Sequence, residues 1–95
     1  MGDKGGQAMY GLHNVPAEAR YLCRRGIELS HHGDLTTAEK CFRQAITIAP
    51  RYTGAHLELY GCLVRLGREK DAMHCYHRLN ALADGMPGGL TRTAQ

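Results

Sequence analysis

The sequence predicts an all-α chain, an α-α superhelix built from two helix-turn-helix units with four antiparallel helices. Three observations carry that prediction. Apolar residues recur three and four positions apart in four separate runs. Glycine or proline closes each run. Much of the pattern of one unit returns 34 positions later in the other.

Each element has its own start and stop. Residues 1–13 are glycine-rich and without period, which predicts a disordered N-terminal segment. Asn14-Val15-Pro16-Ala17-Glu18 then supplies a helix start: a capping-type Asn, a Pro in the first turn and an early acid facing the dipole. Leu22, Cys23, Ile27 and Leu29 continue it, and Gly33 after His31-His32 gives the left-handed stop. Asp34 is placed to cap the second helix, which carries Leu35, Ala38, Phe42, Ala45, Ile46 and Ala49 and ends at Pro50. The third helix holds Ala55, Leu57, Leu59, Leu63 and Leu66, with Gly67 as its terminator. The fourth runs from about Glu69 to Ala83 and ends before Gly85, leaving 85–95 as a second disordered segment. The units are therefore 14–52 and 53–84, and the short turns make sequential helices antiparallel neighbours.

The recurrence is specific. Gly33 and Gly67 lie 34 apart, as do Leu29 and Leu63, Ala38 and Ala72, Cys41 and Cys75, Phe42 and Tyr76, and Ile48 and Leu82. A helix–turn–helix period of this length marks a repeat architecture. On these residues the chain resembles the tetratricopeptide repeat (TPR) family. The family's pattern places fall on Leu22, Arg25-Gly26, Leu29, Gly33, Ala38, Phe42, Ala45 and Pro50 in the first copy. In the second they fall on His56, Leu59-Tyr60, Leu63, Gly67, Ala72, Tyr76, Leu79 and Asp84.

The small residues also have a physical reading. Gly26 and Ala38 are expected where two helices of one unit cross, because only small side chains permit close approach. Phe42 and Tyr76 are expected to fill space between units. Tyr60 replaces the glycine of the first copy, so the second pair must pack differently or splay. Asp84 replaces the closing Pro, and Asn80 puts a polar residue at the place of Ile46.

The resemblance implies a function. In the family, the first helix of each unit lines a concave groove that holds a peptide or a partner helix. By position the groove presents Arg20, Cys23, Arg24, Ile27, Ser30 and His31 from the first unit, and Gly54, Leu57, Gly61, Val64 and Arg65 from the second. An apolar floor with arginines at its edges suits a protein segment with apolar anchors and acidic character. That describes a cytoplasmic adaptor or chaperone-like module. One subclass grips the terminal carboxylate of heat-shock chaperones with a Lys/Asn clamp. Its places hold Cys23, Ile27, Leu57 and Gly61 here, so the clamp is absent. The alternative is a structural segment that self-associates into a homo-oligomer or belongs to a larger assembly.

Other function classes find less in the chain. A net charge of +3 falls short of the basic stripe of a nucleic-acid binder, and Tyr21 and Tyr60 beside Arg20, Arg24 and Arg65 make only a weak version of one. No apolar run is long enough to cross a membrane, and 1–13 lacks the features of a signal peptide. His74 and His77 sit one turn apart, but a structural zinc site needs four ligands. No phosphate loop or nucleophile elbow appears, so neither an enzyme nor a cofactor is expected. The four cysteines form no CxxC pair and lie in helical runs, which predicts reduced, packed thiols.

Overall fold

A computed structural model describes residues 15–83, which fold as four helices. These are α1 (Ala17–His31), α2 (Leu35–Ile48), α3 (Thr53–Arg65) and α4 (Glu69–Ala83), and no strand occurs among the described residues. The expectations for 1–13 and 85–95, for a cap at Asn14 and for Asp84 lie outside the described residues. Helix α1 packs on α2, α2 on α3 and α3 on α4, and α1 also touches α3.

The turns follow from local chemistry. After α1, Gly33 takes φ 87°, its N–H donates to the Ser30 carbonyl at 3.0 Å, and the Asp34 N–H donates to the Leu29 carbonyl at 2.9 Å. After α3, Gly67 takes φ 77° and donates to Val64 at 3.0 Å, while Arg68 donates to Leu63 at 3.0 Å. Both turns are the paired-bond helix stop in which only glycine enters the left-handed region without strain. The 34-residue recurrence is thus present in the backbone hydrogen bonds. The Asp34 carboxylate accepts from the Thr37 N–H at 3.2 Å, so it caps α2 as its position predicts. At α1 the start differs slightly. Pro16 precedes the helix, and its carbonyl accepts from the Ala19 and Arg20 amides.

The core runs through all four helices. Ala19, Ala38, Ala45 and Ala55 are fully buried, and Phe42 and Leu63 are the largest fully buried side chains. Gly26 is where the approach is tightest. A methyl group added there would sit 2.6 Å from the Phe42 ring. Phe42 therefore beds on the glycine of its own helix pair.

Its counterpart behaves differently. Tyr76 is 44% exposed and was expected to fill space between units. Tyr60 occupies the glycine's place, and the two rings meet tilted, with centroids 6.0 Å apart. The second aromatic thus stands half-exposed beside Tyr60, where the first is buried on Gly26.

Polar links join the pairs. The buried His56 uses Nε2 to bond the Pro50 carbonyl at 2.8 Å, which ties the start of α3 to the end of α2. The Cys62 thiol donates to the Leu35 carbonyl at 3.3 Å, and the Cys75 thiol to that of His56 at 3.2 Å. Glu39 on α2 accepts from Arg43 at 2.8 Å and from Arg68 at 2.7 Å. Arg68 also donates to Asp71, so one guanidinium joins α2 to α4.

Candidate functional site

Helical spacing sets the predicted groove residues in two rows. On α1, Arg20, Arg24, Ile27 and His31 follow one another at intervals of four, three and four, which keeps them on one stripe. On α3, Gly54, Leu57, Gly61 and Val64 do the same at three, four and three. Because α1 touches α3, the rows belong to neighbouring helices.

Between them lies an open concavity of about 170 Å³, lined by Ile27, Ser30, His31, Glu58, Gly61, Cys62 and Arg65. Ile27, Ser30, His31, Gly61 and Arg65 are predicted to line a groove, and the fold brings these five together. Gly61 contributes space, since nothing lies within 4 Å of where its Cβ would stand. Leu57 and Val64 are 54% and 51% exposed, an unusual degree for large apolar side chains on one helix face. Neither of the two lines the concavity. Arg65 reaches across to α1, donating from Nη1 to the Ser30 hydroxyl at 2.9 Å.

Cys23 is placed otherwise. It is 5% exposed and belongs to the core, so its thiol is no part of the open surface. Burial raises its pKa and keeps the sulfur protonated and unreactive. The neighbouring Tyr52 hydroxyl is pushed up to about 12, by burial first and by the Cys23 thiol second, while Arg20 and Arg24 pull it the other way. Neither Arg20 nor Arg24 lines the concavity. None of Arg20, Arg24 and Arg65 forms an ion pair with another described residue.

Two residues of the concavity lie outside the predicted set: Glu58 supplies an acid beside Arg65, and Cys62 a buried thiol. The helical spacing of Glu58 from Gly54 and Gly61 was the available clue.

Among the described residues no group of three or more His, Cys, Asp or Glu is gathered for a metal. All four cysteines are free. Among the described residues no helix is long and apolar enough to cross a membrane.

No protein-family model matches the chain, and no solved structure matches it. An uncharacterized protein of Methanocaldococcus jannaschii is 33% identical over 61 residues, which span 64% of this chain and 71% of that protein. The chain belongs to the same family as that protein.

Proposed function

We propose that this family member is a tetratricopeptide-type interaction module, an adaptor or chaperone-like unit that holds a peptide or helix of a partner protein between α1 and α3. In this reading the two helix pairs are successive turns of a short α-α superhelix. The observation that supports it is the exposure of Leu57 and Val64 on α3, the helix whose Gly61 and Arg65 line the concavity, with Arg20 and Arg24 exposed on α1. Exposed apolar area seats the anchors of a helix, and the unpaired arginines select acidic neighbours. The module acts by binding, with no catalytic step and no cofactor. Four free thiols, three of them buried, fit a reducing compartment, and we assign it to the cytoplasm.

A displayed peptide library tests the reading. Wild-type protein should enrich sequences with spaced apolar residues flanked by Asp or Glu, and Leu57→Glu and Arg65→Glu should each abolish that enrichment. Both side chains are exposed, so the fold tolerates the changes. Identical selections from wild type and both variants would contradict a groove at this place.

A second reading rests on a different surface. Met73 is 50% exposed and Tyr76 44% on α4, which suits self-association through the end of the stack. Sedimentation over a range of concentrations separates the two, because a self-assembling chain gains mass and a monomeric adaptor does not.

A further inference from the structure

A second concavity, of about 400 Å³, opens between α2 and α4, and none of its lining residues is shared with the α1/α3 groove. These two helices do not pack on each other among the described residues. Helix α3 lies between them and forms the floor through His56, Leu59 and Leu63. The volume lies in the lower part of the range of roughly 300–1,000 Å³ typical of small-molecule sites.

Two guanidinium groups and an imidazole line the walls. Helix α2 contributes Arg43, and α4 contributes His74 and Arg78. Asp71 is the one acid of the lining, and Arg68 already engages it with bonds of 2.7 and 3.0 Å. Arg43 bonds Glu39 through Nε at 2.8 Å, which leaves its terminal nitrogens without a partner among the described residues. Arg78 pairs with no described residue. Arg43 from α2 and Arg78 from α4 thus bring two guanidinium groups from different helices to the lining of one cleft.

Planar guanidinium forks match phosphate oxygens in pairs, and two such forks answer a doubly charged group better than a carboxylate. Half-buried Ile46 adds apolar lining to the cleft, with the largely buried Leu59 on the floor. We propose that the α2/α4 cleft binds a small organic phosphate, with the phosphate held by Arg43 and Arg78 and the carbon skeleton resting against Ile46 and Leu59. His74 adds a hydrogen-bond donor at the rim. The site is independent of the α1/α3 groove and stands whether or not that groove binds a partner.

Calorimetric titration with phenyl phosphate, at ionic strength fixed with chloride, reads the site directly. The expected result is saturable binding of one molecule per chain, tighter than that of inorganic phosphate. Binding should weaken at least tenfold in Arg78→Gln and in Arg43→Gln, and remain unchanged in Arg25→Gln, whose side chain lies on α1. Arg78 is exposed and pairs with no described residue, so Arg78→Gln keeps the fold and its result stands alone. Absence of saturable binding, or equal binding by Arg78→Gln and Arg25→Gln, would overturn the proposal.

Discussion

Gly26 and Gly61 are both glycines inside helices, yet their surroundings demand opposite responses to the same added methyl group. At Gly26 the methyl meets three carbons of the Phe42 ring at 2.6 to 2.9 Å, and that ring is 1% exposed with nowhere to move. Overpacking of this kind costs about 1–3 kcal/mol, while better helix propensity returns up to about 1 kcal/mol. Gly26→Ala should therefore lose about 1–2 kcal/mol and melt several degrees lower. Gly61→Ala meets open space and should gain about 0.5–1 kcal/mol, at some cost to groove volume. Thermal melts of the two variants decide the matter by sign. The cysteines divide as sharply. Burial raises the thiols of Cys23, Cys62 and Cys75, whereas Cys41 is only half-buried. A disulfide reagent at neutral pH should modify Cys41 first and reach the other three only on unfolding. Because their pKa values are raised, these three favour the folded state below the ordinary thiol value of 9.0, and that contribution fades as pH rises beyond it.

Between elements, the ion cluster around Glu39 makes the clearest claim. The Glu39 side chain is 11% exposed, and burial alone would raise its pKa, but the bonds from Arg43 and Arg68 outweigh burial and hold it below the usual 4.5. A carboxylate with a depressed folded value stabilises the fold above its unfolded value, and that contribution is lost as pH falls through the folded one. Glu39→Gln should cost about 1–2 kcal/mol at neutral pH, since both arginines remain partly solvated. The difference from wild type should shrink below pH 4.5, as measured by urea midpoints across a pH series. Element limits were largely legible in the sequence. Gly33, Pro50 and Gly67 stop helices for reasons carried by a single residue, and Asp34 caps by its own carboxylate. The Glu39–Arg68 link was not legible, because residues 29 positions apart announce no pairing until the fold brings α2 against the α3–α4 turn. The same limit applies to the groove. Stripe spacing located Ile27 and Gly61, but Cys23 sits in the core because its side of α1 faces the other helices.

At the level of the molecule, the four helices share one core, with Phe42 and Leu63 both inside it. A small domain has a narrow margin of stability, and truncating either side chain to Ala should cost roughly 2–5 kcal/mol. Phe42→Ala and Leu63→Ala should each shift a single unfolding transition detected by circular dichroism, without splitting it into two. Two steps would mean that the helix pairs fold separately. The contrast between buried Phe42 and half-exposed Tyr76 follows the residue that each ring faces. The same two positions hold a glycine bedding a buried ring in one copy and a half-open aromatic pair in the other. The repeat pattern thus records the core, whereas the recognition we propose falls to the rows on α1 and α3.

The most direct test of that recognition is an amide chemical-shift map. A peptide recovered from the wild-type selection is added to isotopically labelled protein, and the shifted residues are placed on the fold. A groove between α1 and α3 predicts the largest changes at Ile27, His31, Leu57, Gly61 and Val64, with α2 and the outer face of α4 undisturbed. Changes centred on Met73 and Tyr76, with the α1 and α3 rows silent, would contradict it.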